Sequence, residues 1–380
     1  MKNQLRLIDD DLLNATRRLF VVGDLHGDAT SLGRVLSYWN PSEDLLLFIG
    51  DYSDRGEQST EVVERVDRLL SQYPDRVIGL KGNHEDYTEE GEPYFSPCSL
   101  VDDATAKWGS WQRFQEIVYR PFLQKLVIAA IIPGETLFVH GGISTKIHNR
   151  QDLDSPIEEV EIDILYSDPT TAFPGEAVNS MRGCGVFFGP EVSQLVCERL
   201  GVKRIIRGHT HVTGRFRPAT DHAGRVLTVI TSGVFTSNPY VLVIDPQSPE
   251  KMTRMSLTNG TLTDVEIETT EPRPADDTIP VIRAGQLEPE IKQAYDSLAT
   301  RLRGGTLSAK FRLHHPIGLA LTPSESCDLY QLPIHDLIDS PPRPFDQRRL
   351  IVEIRKQTRQ IHRVFYATQL SPNAVRKIVL

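Results

Sequence analysis

Short apolar runs alternate with amphipathic stretches over the first eighty residues of the chain. The runs at residues 19–22, 45–49 and 77–80 contain only Leu, Phe, Val, Ile and Gly, and each predicts a buried β-strand. Between them, residues 28–39 and 61–70 repeat apolar side chains at helical spacing and predict two helices. Strands that alternate with helices are typical of an α/β fold.

The pattern changes after the third predicted strand. Residues 94–125 carry few glycines and predict further helices. Short apolar runs at residues 137–139, 204–206, 226–230 and 240–244 lie between glycines and prolines, and they predict additional strands. The periodicity therefore supports an α/β fold but does not define its layers.

Two polar segments that contain proline, at residues 246–249 and 271–274, interrupt the chain after these strands. We expect a domain boundary between residues 246 and 274, with a first domain at residues 1–249 and a C-terminal module at residues 250–380.

The C-terminal module has its own pattern of elements. Residues 289–302 predict an amphipathic helix, residues 350–354 and 364–366 predict a β-hairpin, and residues 371–372 predict the start of a short last helix. The locally basic stretch at residues 343–380 is interpreted as a solvated hairpin face, with a site for an anionic partner as the alternative.

Charge divides the chain in the same way. Residues 251–380 carry 18 Lys and Arg against 15 Asp and Glu, a net charge of +3, whereas residues 1–250 carry 24 against 36, a net charge of −12. An acidic first domain is compatible with cation binding and argues against a long nucleic-acid surface, so we expect no nucleic-acid partner there.

The composition bounds the class of protein. With 39% hydrophobic and 24% charged residues, the 380-residue chain has an ordinary globular composition. No apolar run reaches the roughly 20 residues of a membrane helix, and the N-terminus lacks an apolar signal core. The four cysteines lack Cys-x-x-Cys spacing, so we expect neither a zinc knuckle nor a disulfide framework, and a cytoplasmic location.

Candidate chemistry lies mostly where the predicted strands end. There, aspartate, histidine or asparagine stands beside glycine in five motifs: Gly23-Asp24-Leu25-His26-Gly27, Gly50-Asp51-Tyr52-Ser53-Asp54-Arg55-Gly56, Gly82-Asn83-His84-Glu85, His140-Gly141-Gly142 and Arg207-Gly208-His209. A single Gly-Asp pair is common in turns. The ordered set predicts a two-metal phosphoesterase site, because two cations need several oxygen and nitrogen ligands and can then activate water and hold a phosphoryl group.

The motif set resembles the PPP family of serine/threonine protein phosphatases, within the calcineurin-like metallophosphoesterase superfamily. The signatures of that family are GDxHG, GDxVDRG and GNHE, and Ser53 stands where valine is usual. The resemblance runs from about residue 19 to residue 245 and does not extend to the last third of the chain. It implies a four-layer α/β sandwich.

The resemblance also implies a metal centre of two divalent ions, with Mn²⁺ expected and Fe or Zn²⁺ as alternatives. The implied ligands are Asp24 and His26 for the first metal, Asp51 as the bridge, and Asn83, His140 and His209 for the second. A metal-bridging hydroxide would attack phosphorus directly.

Four further residues have implied roles in catalysis. His84 would protonate the leaving oxygen as a general acid, and Asp54 would orient it. Arg55 and Arg182 would grip the phosphate oxygens, because a guanidinium group can bind two oxygens at once. The sequence around Arg182 departs from the family pattern.

Two departures bear on the site. After the last motif the chain continues to His211, in the Gly-His-x-His form found elsewhere in the superfamily, where the second histidine ligates the first metal. His211 is therefore a candidate additional ligand, and the alternative is a histidine turned to solvent. The family's SAPNY loop is missing from residues 230–235, so contacts of its tyrosine are not expected.

The predicted function is a metal-dependent phosphomonoesterase acting on phosphoserine or phosphothreonine in proteins. One alternative is a hydrolase of small phosphate compounds, such as a dinucleoside polyphosphatase or a nucleic-acid-end phosphatase. Another is an inactive scaffold of the same fold, which the complete set of motif residues disfavours. The C-terminal module is expected to bind a partner or to mediate oligomerisation.

Overall fold

The computed structural model describes residues 3–88, 90–95, 98–171, 173–179, 182–210, 219–265, 281–283, 286–303, 327–333, 337, 349–355, 361–367 and 375–379. The chain divides into two compact units. The first unit comprises Met1–Pro169 and Gly175–Thr269, and the second comprises Thr170–Pro174 and Thr270–Leu380. No helix within the described ranges is long and apolar enough to cross a bilayer.

The first unit alternates strands and helices. Its strands are β1 Leu5–Leu7, β2 Leu19–Val22, β3 Leu45–Phe48, β4 Val77–Gly79, β5 Ala129–Ile132, β6 Thr136–Val139, β7 Asp168–Pro169, β8 Glu176–Val178, β9 Val186–Phe188, β10 Arg204–Arg207, β11 Ala219–Asp221, β12 Val226–Thr228, β13 Tyr240–Asp245, β14 Ser248–Ser256 and β15 Leu262–Asp264. Its helices are α1 Asp10–Asn14, α2 Ala29–Tyr38, α3 Ser59–Gln72, α4 Leu100–Trp108, α5 Trp111–Phe114, α6 Arg120–Leu123, α7 Gln151–Asp154, α8 Glu158–Tyr166 and α9 Pro190–Leu200.

Two six-stranded sheets form the centre of this unit. One has the order β15-β14-β13-β2-β3-β4, in which β2, β3 and β4 are parallel. The other has the order β1-β5-β6-β10-β12-β11, in which β10 is parallel to both β6 and β12. Because parallel strands end at the same edge of a sheet, the loops that follow β2, β3 and β4 lie side by side.

Three hydrophobic clusters stack the unit into layers. The first packs α2, α3 and the segment from α4 to α6 on one face of the first sheet. The second fills the space between the sheets, where Val21, Leu47 and Phe138 meet. The third packs α7, α8 and α9 on the outer face of the second sheet. This is a four-layer α/β sandwich, and it confirms the predicted fold class.

The helices predicted from periodicity are present. α2 begins after Asp28, whose carboxylate accepts the backbone N–H of Ser31 at 2.8 Å and so caps the helix. It buries Leu32 and Val35 on one face. α3 starts two residues before the predicted position. The helix-rich segment after residue 94 contains α4, α5 and α6, and a π-helical turn at Gln115–Tyr119 connects α5 to α6.

The proline-bearing segment at residues 246–249 is a hairpin turn. It joins β13 to β14, which pair in antiparallel register from Tyr240↔Ser256 onwards. Met252 and Met255 of β14 are buried in the hydrophobic core of the first unit. The first unit therefore extends beyond residue 249. The chain divides between residues 269 and 270, within the expected range of 246 to 274.

The second unit has one five-stranded sheet with the order β16-β20-β19-β18-β17. Its elements are β16 Val281–Arg283, α10 Pro289–Arg303, β17 Cys327–Pro333, β18 Arg349–Arg355, β19 Ile361–Ala367 and β20 Val375–Val379. The predicted helix corresponds to α10, and the predicted hairpin corresponds to the antiparallel pair of β18 and β19. The helix start predicted at residues 371–372 lies outside the described residues.

Candidate metal centre

The predicted ligands lie in the loops that leave the carboxyl ends of the central strands. Each is buried, with at most 6% of its surface exposed. They are Asp24 and His26 after β2, Asp51 after β3, Asn83 after β4, His140 after β6, and His209 after β10. Residues distant in sequence therefore converge at one edge of the sandwich.

The backbone of these loops is unusual. Seven non-glycine residues in the described part of the chain have positive φ, and five of them are predicted site residues. These five are His26 (45°), Asp51 (52°), Asp54 (69°), Arg55 (67°) and His209 (69°). Side chains at positive φ cost about 1–3 kcal/mol each and tend to cluster at functional sites. We refer to these five residues as the positive-φ cluster.

Two glycines of the motifs are required by close approach. A Cβ atom on Gly82 would lie 2.3 Å from Oδ1 of Asp51, and one on Gly208 would lie 2.1 Å from Oδ1 of Asp24. Either contact is far shorter than van der Waals distance. These two glycines leave room for the carboxylates of Asp51 and Asp24 to enter the site.

Asp51 lies between two histidines. Its Oδ2 is 3.3 Å from Nε2 of His26, and its Oδ1 is 3.2 Å from Nε2 of His140. The two oxygens of one carboxylate therefore face two different imidazoles. One group of donor atoms within 4.8 Å of one another comprises His26, Asp51 and His84, and another comprises Asp51, His140 and His209. Asp51 belongs to both groups, as a bridging ligand would.

Backbone carbonyls orient both of these imidazoles. Nδ1 of His26 lies 2.8 Å from the carbonyl oxygen of Ser53, and Nδ1 of His140 lies 2.9 Å from that of Ile49. A carbonyl oxygen only accepts, so Nδ1 donates in each case, and Nε2 of the neutral ring presents a lone pair. This arrangement is typical of metal-ligating histidines.

The lone pair of His140 faces two oxygen atoms and one imidazole nitrogen. Its Nε2 is 3.1 Å from Oδ1 of Asn83, 3.2 Å from Nδ1 of His209 and 3.2 Å from Oδ1 of Asp51. A nitrogen without a proton cannot hydrogen-bond to either oxygen, whereas one cation can bind all of these atoms. The donor set therefore fits a metal ion.

The protonation of two buried groups, His209 and Asp51, is consistent with such a site. Burial and the guanidinium of Arg182 hold the pKa of His209 well below its usual value, so this imidazole is neutral at pH 7. Burial opposes ionisation of Asp51, but the imidazoles of His140 and His84, when they carry a proton, hold the pKa of its carboxyl well below the usual range. Neutral imidazoles and ionised carboxylates are the forms that bind metals.

Asp24 is held by the loop after β10. Its two carboxylate oxygens accept the backbone N–H of His209 at 3.0 and 2.9 Å. Glu85 connects two other loops, because its carboxylate accepts the backbone N–H groups of Asp51 at 2.8 Å, Tyr52 at 3.1 Å and Gly82 at 3.0 Å. These bonds fix the ligand loops relative to one another.

His84 lies beside the donor groups. Its Nδ1 is 2.7 Å from Oδ2 of Asp54, and its backbone N–H donates to Oδ1 of Asp51 at 3.0 Å. The centroid of its ring is 4.8 Å from that of His26. The predicted acid and its predicted orienting carboxylate are therefore in direct contact.

Arg182 is bound by the carboxylate of Asp168, a residue for which the sequence predicted no role. Its Nε and Nη2 donate to Oδ2 and Oδ1 of Asp168 at 2.6 and 3.2 Å. The buried Arg207 also donates to Asp168, at 3.2 Å, and so does the hydroxyl of Thr210, at 2.6 Å. Burial opposes ionisation of Asp168, but Arg182 and the other cationic side chains nearby hold its pKa far below the usual range.

The sequence model of the calcineurin-like phosphoesterase family matches residues 17–213, just over half of the chain. The chain belongs to this family. Membership of the calcineurin-like phosphoesterase family implies a divalent metal centre.

Two relatives from Caenorhabditis elegans are similar in sequence. One is C06A1.3, a provisional serine/threonine-protein phosphatase that is 29% identical over 59% of this chain and 60% of its own. The other is serine/threonine-protein phosphatase PP1-delta, which is 28% identical over 52% of this chain and 65% of its own. The match covers less than two thirds of either relative.

The fold also has a solved counterpart. A protein serine/threonine phosphatase from Saccharomyces cerevisiae, described as similar to human phosphatase PP5, aligns with a TM-score of 0.55 at 22% identity. The alignment covers 64% of this chain and 78% of that one. This likeness supports the fold alone.

The described part of the structure gives no polar contact for two of the predicted site residues, Arg55 and His211. Arg55 follows Asp54, and its exposed side chain makes no hydrogen bond or ion pair with the residues that the structure describes. His211 lies outside the described residues, so its role as an additional ligand stays a prediction.

Proposed function

We propose that this calcineurin-like phosphoesterase is a metal-dependent phosphomonoesterase that removes phosphate from phosphoserine and phosphothreonine in proteins. The arrangement of His26 and His140 on opposite oxygens of Asp51 carries the proposal, because one carboxylate shared by two donor groups suits a pair of cations. The names of the relatives support the protein substrates.

Six residues would hold the cations: Asp24, His26, Asp51, Asn83, His140 and His209. Two bound divalent ions supply an activated water and neutralise charge on the phosphoryl oxygens. The oxygen and nitrogen donors suit Mn²⁺, Fe or Zn²⁺, and Mn²⁺ stays our expectation.

The other residues handle protons and the phosphate group. His84 would donate a proton to the leaving oxygen, since Asp54 accepts at Nδ1 and leaves Nε2 for the substrate. Arg182, oriented by Asp168, would bind phosphate oxygens together with the exposed Arg55. Orientation before binding lowers the entropic cost of holding the phosphate.

A substrate panel tests the proposal. The chelator-treated protein is assayed with each of Mn²⁺, Fe²⁺ and Zn²⁺ on phosphothreonine and phosphoserine peptides, diadenosine tetraphosphate and a 5′-phosphorylated oligonucleotide. We expect metal-dependent release of phosphate from the peptides, with kcat/KM at least tenfold above that on the other two. Preference for the dinucleotide or the oligonucleotide would favour the small-phosphate alternative, and no hydrolysis with any metal would favour an inactive scaffold.

A further inference from the structure

The turn that carries Asn83 and His84 is bounded by an ion pair. It is a single 3₁₀ turn at Asn83–Glu85, which we call the ligand turn. Lys81 lies before it and Asp86 directly after it, and Nζ of Lys81 donates to Oδ1 of Asp86 at 2.9 Å. Both side chains are largely buried, with 22% and 18% of their surfaces exposed. The ion pair therefore joins the two ends of the ligand turn.

Helix α8 contacts both partners of this ion pair. The hydroxyl of Tyr166, the last residue of α8, donates to Oδ2 of Asp86 at 3.0 Å, since an ionised carboxylate only accepts. Glu161, in the same helix, accepts a hydrogen bond from Nζ of Lys81 at 2.9 Å. Tyr166 is buried, with 8% of its surface exposed. One side chain of α8 thus holds each end of the ligand turn.

The C-terminal end of α8 is itself fixed within the candidate metal centre. The carbonyl oxygen of Ile164 accepts the backbone N–H groups of Gly141 at 2.7 Å and Gly142 at 3.1 Å, in the loop after β6. Two residues beyond the helix, Asp168 binds Arg182. The hydroxyl of Tyr166 therefore connects the ligand turn to a part of the chain that already holds other predicted site residues.

His84 is the residue most sensitive to a movement of the ligand turn. Under the proposed function, its Nε2 protonates the leaving oxygen, and proton transfer needs the two atoms within about 2.6–3.2 Å of each other. Asp54 fixes Nδ1 of the ring, but the position of the backbone depends on the residues at the ends of the turn. Asp86 is two residues from His84, so its bond to Tyr166 opposes a shift of that backbone.

We infer that Tyr166 is a positioning residue for His84 and acts through Asp86. The inference rests on the proposed phosphomonoesterase function, and it adds a residue to which that function gives no role. Tyr166→Phe removes the hydroxyl and keeps the ring, whose centroid lies 6.4 Å from that of His209. This substitution therefore separates the bond to Asp86 from the packing of the ring.

Kinetics on two leaving groups test the inference. The full chain is assayed with the metal ion that gives the highest turnover, at saturating concentration. We expect Tyr166→Phe to lower kcat on a phosphothreonine peptide about tenfold and to leave KM within about twofold. On p-nitrophenyl phosphate, whose leaving group departs without a proton, kcat should stay within about threefold. Tyr73→Phe, in the connection before β4 and at the opposite end of that strand from the ligand turn, is the matched control.

Hydrogen exchange gives a readout that does not depend on metal or turnover. In the metal-free protein, the backbone N–H of His84 donates to Oδ1 of Asp51 at 3.0 Å, and that of Asp86 donates to the carbonyl oxygen of Asn83 at 3.2 Å. Mass spectrometry of a fragment that covers residues 82–87 should show exchange about tenfold faster in Tyr166→Phe, because local opening becomes easier. Exchange in β3 should not change.

A double-mutant cycle identifies the route. If Tyr166 acts through Asp86, the variant that combines Tyr166→Phe with Asp86→Ala should lose no more kcat on the peptide than Asp86→Ala alone. Additive losses would show that Tyr166 acts independently of Asp86, and they would overturn the inference. If Tyr166→Phe does not fold, Asp86→Ala replaces it in the comparison of leaving groups.

The failure of this inference differs from the failure of the proposed function. Equal losses on the two substrates, an unchanged kcat on the peptide, or unchanged hydrogen exchange in the ligand turn would overturn the role of Tyr166 and leave the proposed function intact. No hydrolysis of the phosphothreonine peptide by the wild-type chain would overturn the proposed function, and the inference with it.

Discussion

Oδ2 of Asp54 lies 2.7 Å from Nδ1 of His84, while Oδ1 of the same carboxylate accepts the backbone N–H groups of Ser99 at 2.7 Å and Leu100 at 2.9 Å. Leu100 is the first residue of α4, so Asp54 satisfies N–H groups that the start of this helix leaves unpaired. One buried carboxylate thus fixes the start of α4 and the orientation of the candidate acid.

This relationship predicts how activity depends on the leaving group. His84→Asn should retain its metals and lose about 10²–10⁴-fold in kcat on a phosphothreonine peptide, because general acid catalysis contributes that much. The loss should be smaller on p-nitrophenyl phosphate, whose leaving group departs without a proton. Steady-state kinetics on both substrates test this, and equal losses would mean that His84 has another role.

A companion change tests Asp54. In Asp54→Asn the amide oxygen can still accept the N–H groups at the start of α4, but the negative charge beside His84 is gone. We expect kcat on the phosphothreonine peptide to fall at least tenfold while the thermal unfolding midpoint changes little. A large drop in that midpoint with unchanged kcat would assign Asp54 to structure alone.

Asp51→Asn should reduce the content of both metals. In wild type, His26 and His140 each face a different carboxylate oxygen of Asp51. Asparagine has only one side-chain oxygen and no negative charge, so it cannot bridge two cations. Metal analysis after dialysis should give well under half of the wild-type content, and turnover should be lost. Asp75→Asn, which removes an exposed carboxylate in the connection before β4, is the matched control. Unchanged metal content in Asp51→Asn would contradict the bridging role.

Arg182→Lys should weaken the binding of phosphate. Lysine cannot reproduce the two hydrogen bonds that the guanidinium makes to Asp168, so the cation loses its fixed orientation. We expect the inhibition constant for inorganic phosphate and KM for the peptide to rise about tenfold, with a smaller change in kcat. Arg113→Lys, at an exposed position in α5, should leave both constants unchanged.

A chain that ends at Thr269 should fold, bind metal and hydrolyse p-nitrophenyl phosphate. Every predicted ligand lies in the first unit, which ends there. A chain that ends at Asp245 is the control, and it should be insoluble because it lacks β14 and exposes the strand that β14 covers. If the longer chain is folded yet inactive on this substrate, the second unit is needed for catalysis.

The convergence of the ligands was predictable because it depends on local signals. An apolar run followed by glycine and a polar residue indicates a strand end, and parallel strands bring their ends together. The sequence did not predict that one oxygen of Asp51 faces His26 and the other faces His140. That geometry depends on how the loops after β2 and β6 approach each other. Spacing within a motif carries no information about that approach.

Two other features were beyond the sequence for different reasons. The role of Asp168 depends on contacts with Arg182 and Arg207, which are 14 and 39 residues away, and no local pattern selects such partners. The prolines at residues 246–249 and 271–274 set only a range for the boundary, because a proline in a hairpin turn and a proline in a linker look alike in sequence. Only the pairing of β13 with β14 distinguishes them.

The positive-φ cluster lowers the free energy of unfolding of this protein at the positions that the proposed chemistry needs. Glycine adopts positive φ without strain, and Arg55 is the member of the cluster whose side chain is exposed, so Arg55→Gly would relieve a local cost of folding while it deletes a side chain of the proposed site. Random mutagenesis screened only for heat resistance should therefore recover variants at Arg55 that bind phosphate poorly. A thermostable variant that is still active would have to find its gains elsewhere in the four layers.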